Sequence, residues 1–108
     1  MNLHPATEFV FVMSTVESIA QAEILASEIL EAKLAACVTS IPGAVSTYWW
    51  EDKIEKSQEI VLLIKTQSKN LTALKSFFDS HHTYEISEFV ALPISGGSIE
   101  YLNWMRAS

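Results

Sequence analysis

The segment from Ala35 to Trp50 constrains the fold of this chain more than any other feature of its sequence. It consists mostly of apolar, β-branched and aromatic residues, and only the pair Pro42-Gly43 interrupts it. Since a central strand does not accept proline, the pattern predicts one long strand with a bend or bulge at this pair. A polar turn at Glu51-Asp52-Lys53 and a second strand from Glu59 to Thr66 then predict a long hairpin.

Strand-like and helical patterns alternate along the rest of the chain. Short apolar runs predict strands, and apolar residues at helical spacing predict helices. Ser18 and Gln21 form a capping box at the start of the first helix. The predicted elements are a strand at Phe9–Met13, a helix at Ser18–Leu34, the hairpin, a helix capped by Ser68 and ending near His81, a core strand at Phe89–Ile94, a flexible break at Gly96-Gly97 and a short helix opened by Ser98.

The order of these elements is βαββαβ with an added C-terminal helix, which predicts an α+β fold of the ferredoxin-like type. In this plan two right-handed βαβ crossovers interleave and give a four-stranded antiparallel sheet with both helices on one face. The chain has 108 residues, of which 49% are hydrophobic. We therefore expect a single domain over residues 1–108, with residues 1–7, including His4, as a flexible tail.

Such a sheet has one uncovered face, and the long strand extends past the reach of the helices. Tyr48, Trp49 and Trp50 alternate across both faces of that strand. Because an exposed strand with three rings tends to aggregate unless it is paired, we expect these residues to contact other copies of the chain. The alternative is that the rings fold over the chain's own helix.

The acidic charge balance limits the classes of partner. The formal net charge is −6 and no basic stripe with interleaved aromatic residues occurs, so we expect no nucleic acid partner. The charge mildly favours cations, although the need for solubility explains it as well. The stretch from Met1 to Thr7 does not resemble a signal peptide and no apolar run is long enough for a membrane span, which predicts a cytoplasmic protein.

His81 and His82 are the strongest candidates for metal ligands. A neutral imidazole suits copper and zinc, and Tyr84, Glu85 and Glu88 follow closely enough to add ligands. Adjacent residues on a regular helix point about 100° apart, so the pair would chelate one ion only where the helix end frays. The alternative is that both histidines cap or cover the helix end, where the helix dipole stabilises a protonated imidazole.

Cys37 and Lys65 stand in predicted strands, and each allows two interpretations. Cys37, the sole cysteine, is either a small core hydrophobe or a thiolate ligand for a soft cation in a cleft. Lys65 lies in an apolar strand, where an unpaired charge is costly, so we expect it to pair with Glu59 or Glu88 of a neighbouring copy. The alternative is that Lys65 faces a cleft between copies and contacts an anion.

A set of short motifs covers nearly the whole chain. They are Lys33-Leu34-Ala35-Ala36-Cys37-Val38, Ile41-Pro42-Gly43, Ser46-Thr47-Tyr48-Trp49-Trp50, Lys53-Ile54-Glu55, Glu59, Ile64-Lys65-Thr66, His82-Thr83-Tyr84-Glu85 with Glu88, Ala91-Leu92-Pro93-Ile94 and Tyr101-Leu102-Asn103-Trp104. In content, order and spacing they resemble the CutA family, the divalent-cation tolerance proteins. The resemblance implies a ferredoxin-like subunit in a tight homotrimer, in which each long hairpin packs against the neighbouring subunits.

The resemblance also implies a role in tolerance of copper and other divalent cations, without catalytic turnover. We therefore expect a cytoplasmic homotrimer that binds copper or similar divalent metal ions near a cleft between subunits. The expected metal ligands are His81, His82, Cys37 and Glu88, the expected cleft residues are Lys65, Glu59 and Tyr84, and the expected trimer interface is Tyr48, Trp49 and Trp50. The alternative is a trimeric signalling scaffold that binds a small metabolite at the clefts, since the architecture is similar to that of nitrogen-regulatory signalling proteins.

Three positions depart from the family pattern. Thr83 and Ser87 stand where family members often have prolines, so we expect a more mobile loop between His82 and Glu88. Ser14 stands where some bacterial members have a cysteine, which removes a soft sulfur ligand there.

Overall fold

The computed structural model describes residues 4–5, 8–84 and 87–108 and builds them around a four-stranded antiparallel sheet. In chain order the elements are β1 (His4–Pro5), β2 (Phe9–Val16), α1 (Ile19–Glu31), β3 (Cys37–Trp50), β4 (Lys53–Gln67), a 3₁₀ turn (Ser68–Asn70), α2 (Leu71–His81), β5 (Val90–Pro93), β6 (Gly96–Gly97) and α3 (Ile99–Ala107). The large sheet has the order β3-β4-β2-β5, and β1 pairs with β6 in a small second sheet. This order confirms the predicted ferredoxin-like α+β fold.

One face of the large sheet forms the main core with α1 and α2. Alternate residues of β2 and β4 point to this face because side chains in a strand alternate between the two sides. The buried set is Val10, Val12, Val16, Ala22, Leu25, Ile29, Ile60, Leu62, Ile64, Leu74 and Phe78. At about 1.5–3 kcal/mol for each large apolar side chain, this layer is the chief source of stability in the single chain.

On the opposite face of the sheet, α3 packs at one end and is the only helix of the described chain on that face. Phe9 lies there in a second buried cluster with Leu102 and Met105. The predicted core strand at Phe89–Ile94 is wrong in its burial, since all four residues of β5 are exposed. The reason is that β5 is an edge strand and nothing in the described part of the chain covers its outer side.

The hairpin of β3 and β4 is longer on its second strand than the sequence predicts. Its register shifts between Ile41 and Ala44, and Gly43 has φ +83°, so the bulge at Pro42-Gly43 is confirmed. Strand β4 begins at Lys53 and not at Glu59, because the polar stretch before Glu59 pairs with the end of β3. Only two residues, Glu51 and Asp52, form the turn, and both have positive φ.

The helix ends follow from local chemistry. The Ser18 hydroxyl accepts a hydrogen bond from the Gln21 amide at 3.1 Å, and the Gln21 side chain accepts one from the Glu17 amide at 3.2 Å. These bonds confirm the capping box. Helix α1 ends at Glu31, earlier than predicted, since Lys33 adopts the left-handed conformation. Ser98 caps α3 as predicted, its hydroxyl accepting from the Tyr101 amide.

Two further expectations about the chain ends and helix starts need correction. Gly96-Gly97 is not a break but strand β6, because it pairs with His4–Pro5; the rest of the predicted tail, residues 1–3 and 6–7, lies outside the described residues. Ser68 begins a 3₁₀ turn and does not cap α2, which follows Asn70. In the part of the chain that the structure describes, no helix has the length and apolar character needed to cross a membrane.

Candidate functional site

A cavity of about 860 Å³ lies between the hairpin, the end of β2 and the segment that follows α2. It is lined by Thr15, Glu17, Ser46, Thr47, Tyr48, Trp50, Ser57, Gln58, Glu59, Tyr84 and Glu88. Three of these residues are glutamates, and no lysine, arginine or histidine of the described residues lines the cavity. We call this space the acidic cavity.

The three glutamates come from three different elements of the fold. Glu17 follows β2, Glu59 lies within β4 and is 8% exposed, and Glu88 stands on the segment before β5. Among the described residues none of them has a cationic partner within 4.0 Å, since Lys75 pairs with Asp79, Arg106 pairs with Glu8, and the His81 ring lies near Glu28. The negative charge of the cavity is therefore uncompensated within the described chain.

Tyr84 reaches into the acidic cavity and contacts Glu59. Its hydroxyl donates a hydrogen bond to Oε2 of Glu59 at 2.9 Å. Burial raises the pKa of Tyr84 well above its usual range, and the hydrogen bond to Glu59 and the charges of Glu59 and Glu17 raise it further. The phenol therefore stays protonated and serves as a hydrogen-bond donor to the carboxylate.

His82 holds the segment that carries Tyr84 and does not point its ring into the acidic cavity. Its Nε2 donates to the carbonyl oxygen of Thr15 at 2.8 Å, and its Nδ1 accepts from the Tyr84 amide at 3.1 Å. Since the carbonyl only accepts and the amide only donates, the ring is neutral with its proton on Nε2. Both nitrogens are thus occupied, and the imidazole joins the end of α2 to β2.

His81 points away from His82, toward α1. Its Nδ1 donates to the Phe77 carbonyl oxygen at 2.8 Å, and its ring stacks on the Phe77 ring with centroids 3.9 Å apart. Its Nε2 lies 3.6 Å from Oε2 of Glu28. A neutral ring in this arrangement keeps a lone pair on Nε2, beside one carboxylate.

Cys37 and Lys65 lie opposite each other on β3 and β4, on the sheet face away from α1 and α2. The Cys37 sulfur is half-buried and 3.8 Å from the Thr39 hydroxyl. The Lys65 ammonium lies 3.4 Å from the Tyr101 hydroxyl. Pairing of Lys65 with a carboxylate of a neighbouring copy remains a prediction.

The structure thus brings together one part of the predicted site. Glu59, Tyr84 and Glu88 share the acidic cavity, whereas Lys65, His81, His82 and Cys37 do not line it. In residues 8–84 and 87–108 no three histidine, cysteine, aspartate or glutamate side chains converge as a metal-binding group. Glu85 lies outside the described residues, as does Ile86 in the loop that we expected to be mobile.

Sequence reasoning missed Thr15 and Glu17, which enter the acidic cavity from the end of β2. Their only signal is that polar residues follow an apolar strand. Ser14, by contrast, is fully buried and lies on the helix-covered face opposite Leu62. A cysteine at this position would therefore point into the core and away from the acidic cavity.

The three residues expected at an interface between copies are exposed in the single chain. The exposed fractions of Tyr48, Trp49 and Trp50 are 40%, 71% and 41%. Tyr48 and Trp50 line the acidic cavity, and the Tyr48 hydroxyl lies 2.7 Å from the Ser57 hydroxyl. The hairpin thus provides both a cavity wall and a large apolar surface without cover in the described chain.

Comparison with known proteins gives one consistent result. The family model described as "CutA1 divalent ion tolerance protein" matches residues 10–108. A divalent-cation tolerance protein CutA from Pectobacterium atrosepticum is 41% identical over 108 residues, covering 100% of this chain and 98% of the relative. The structure of CutA from Synechococcus elongatus is similar with a TM-score of 0.94 and 31% identity, over 98% of this chain and 94% of that one. A periplasmic divalent cation tolerance protein CutA from Archaeoglobus fulgidus is similar with a TM-score of 0.88 and 35% identity, over 92% of this chain and 96% of that one.

Proposed function

The chain belongs to the CutA1 family of divalent ion tolerance proteins, and we propose that it acts by binding divalent cations, copper among them, without turning over a substrate. The observation that carries this proposal is the acidic cavity, where three glutamates and no basic residue of the described chain form the walls. A cleft with one sign of charge concentrates ions of the opposite sign. The negative potential there is also one of the causes of the raised pKa of Tyr84.

The spread of the donors indicates how a cation would be held. Since no three candidate ligands of the described residues converge, direct coordination by several carboxylates is not supported. The cavity, at about 860 Å³, has room for an ion together with its water molecules. Hard ions such as Mg²⁺ keep most of their water and bind through one or two carboxylates, so we infer weak binding of a hydrated ion by Glu59 and Glu88.

Copper requires different donors from those of the acidic cavity. Cu²⁺ prefers imidazole nitrogen to an all-oxygen set. Of the two predicted histidines, only His81 keeps a free ring nitrogen, and this Nε2 lies 3.6 Å from a Glu28 oxygen. We propose His81 and Glu28 as the copper-binding pair, with His82 as the residue that positions Tyr84.

We further propose that the functional form is a cytoplasmic homotrimer. The support is the apolar surface of the hairpin, above all Trp49, which is 71% exposed in the single chain. Contiguous apolar surfaces of this kind occur at sites of protein association. Sedimentation equilibrium is expected to give three times the chain mass of 12.1 kDa, and a monomeric mass would refute the assembly. Cell fractionation tests the compartment, with recovery in a periplasmic fraction as the opposing result.

Calorimetric titration with Mn²⁺ tests the acidic cavity. The double variant Glu59→Gln/Glu88→Gln removes two charges from its walls while it keeps the side-chain lengths. We expect this variant to bind Mn²⁺ at least about tenfold more weakly than wild type, a difference of about 1.4 kcal/mol. The matched control is Glu23→Gln/Glu100→Gln, which removes two exposed glutamates outside the cavity. Equal affinity of the two double variants would rule out the acidic cavity as the cation site.

Titration with Cu²⁺ tests the copper-binding pair separately. His81→Gln is expected to weaken Cu²⁺ binding, because it removes the free Nε2. His82→Gln is expected to leave Cu²⁺ affinity within about twofold of wild type, since both nitrogens of His82 are already hydrogen-bonded. The reverse pattern would assign copper to His82 and contradict the proposed pair.

A further inference from the structure

A second cavity lies on the other side of the molecule from the main core, beneath α3. Its volume is about 360 Å³, and it is lined by ten residues, none of which lines the acidic cavity. Phe11 and Leu92 form its floor on the sheet, and Leu102 and Met105 form a wall on α3. This size lies within the range of small-molecule sites, which are mostly apolar with few polar groups. We call this space the α3 cavity.

Lys65 supplies the only charged side chain of the α3 cavity wall among the described residues. Its ammonium has no carboxylate within 4.0 Å in that part of the chain, where its polar contact is the Tyr101 hydroxyl at 3.4 Å. The same ammonium lies 5.6 Å from the centre of the Tyr101 ring. An unpaired ammonium beside apolar walls is an unfavourable arrangement that an anion relieves.

At one side of the α3 cavity, the backbone of β6 comes close to α3. Gly97 lies against Leu102, and a Cβ at that glycine would stand 3.3 Å from Leu102 Cδ2. Strand β6 therefore runs next to α3 and, because both of its residues are glycines, adds no side chain to the cavity. Lys65, Phe11 and Leu92 thus line one common space.

We propose that the α3 cavity binds a small amphipathic carboxylate. The carboxylate group pairs with the Lys65 ammonium and accepts a hydrogen bond from the Tyr101 hydroxyl. The apolar body of the ligand, an aromatic ring or a branched chain, packs on Phe11, Leu92 and Met105. One ammonium and one hydroxyl match the two oxygens of a carboxylate, whereas a phosphate would leave oxygens without donors.

This inference goes beyond the proposed cation binding because the two sites take ligands of opposite charge. Divalent cations are attracted to the acidic cavity and repelled by Lys65. A cation and a carboxylate ligand are therefore expected to bind to the protein at the same time. The titration with a metal ion and the titration with the carboxylate give independent results.

Calorimetric titration of the intact protein with phenylpropionate tests the proposal. Phenylpropanol is the neutral ligand of nearly the same shape. We expect phenylpropionate to bind with a Kd below about 1 mM and phenylpropanol at least about tenfold more weakly. Lys65→Met, which keeps the side-chain stem and removes the charge, is expected to abolish this preference. Lys56→Met is the matched control, since Lys56 lies on the same strand outside both cavities and pairs with Thr47.

Three results would overturn the proposal. The first is equal affinity of wild type and Lys65→Met for phenylpropionate, and the second is equal affinity of wild type for the acid and the alcohol. The third is no binding of phenylpropionate to wild type, and a changed sedimentation mass of Lys65→Met would then indicate that a second copy of the chain covers the α3 cavity. If Lys65→Met does not fold, Tyr101→Phe decides instead, with about threefold weaker binding expected and unchanged binding as the contrary result.

Discussion

Replacing Ser14 by alanine should stabilise the protein. Ser14 is fully buried on the helix-covered face of β2, and its Oγ has no hydrogen-bond partner among the described residues. A buried hydroxyl without a partner costs about 1–3 kcal/mol, since folding removes its bonds to water. Ser14→Ala removes that group and leaves the backbone and Cβ in place.

The expected gain is smaller than the full desolvation cost because the substitution leaves a small void. A void of about 15 Å³, the room of roughly one small probe, costs about 0.4 kcal/mol at ~24 cal/mol per Å³. A net stabilisation of about 1 kcal/mol remains. For a domain of this size that gain raises Tm by about 4–8 °C. Thermal unfolding should be compared at one protein concentration, because assembly makes Tm depend on concentration.

Thr66 provides a matched substitution with the opposite expected sign. It is 2% exposed, and its hydroxyl donates to the Leu34 carbonyl oxygen at 2.6 Å. Thr66→Val keeps the shape but leaves that carbonyl without this donor, so we expect a loss of about 1–3 kcal/mol. If Ser14→Ala lowers Tm as Thr66→Val does, the Ser14 hydroxyl has a partner such as a bound water, and the reasoning is refuted.

Three further predictions concern the hairpin and the acidic cavity. Gly43→Ala should destabilise the chain by about 1–2 kcal/mol, because Gly43 has φ +83°, which a residue with a Cβ adopts only with strain. No atom lies within 4 Å of the added Cβ, so a clash does not contribute. An unchanged urea midpoint would exclude this backbone cost. The pKa of Tyr84 is raised in the folded chain above its ordinary value of 10.0. The protonated phenol therefore stabilises the fold fully below pH 10, and this stabilisation is lost as the pH rises above that value. Tyr84→Phe should therefore reduce the loss of Tm in alkaline solution. Equal profiles of Tm against pH for wild type and Tyr84→Phe would contradict this prediction. Trp49→Lys should lower the sedimentation mass, whereas Ile24→Lys, at a site of similar exposure on α1, should not; identical masses would remove Trp49 from the interface.

Local patterns of sequence predicted most of the fold. The capping box at Ser18 and the bulge at Pro42-Gly43 are set by neighbouring residues, and both are confirmed. The start of β4 at Lys53 was missed because its first residues are polar and form a strand only by pairing with β3. The exposure of β5 was missed for a related reason, since an apolar run does not reveal whether its strand lies at the edge of a sheet.

The candidate site was predicted less completely than the fold. Of the expected cleft residues Lys65, Glu59 and Tyr84, the last two line the acidic cavity, and Glu88, expected as a metal ligand, lies there too, whereas Lys65 does not. Glu17 joins them only because the register of β2 against β4 places Val16 opposite Ile60, and no local pattern encodes that pairing. The helical period predicts that His81 and His82 diverge. It does not predict that the Thr15 carbonyl oxygen and the Tyr84 amide occupy both nitrogens of the second ring.

The central position of β2 has a consequence for the synthesis of the chain. β2 precedes both of its partners in sequence, since Val16 pairs with Ile60 of β4 and Met13 with Val90 of β5. The β3–β4 hairpin closes locally, on the microsecond scale of about 1–10 μs for such elements, whereas β2 gains its partner β4 only when the hairpin has been made and its partner β5 only after α2 has been added. Closing such long loops slows folding and leaves unpaired strands open to aggregation. During synthesis β2 is therefore exposed as an unpaired strand until β4 and then β5 have been made.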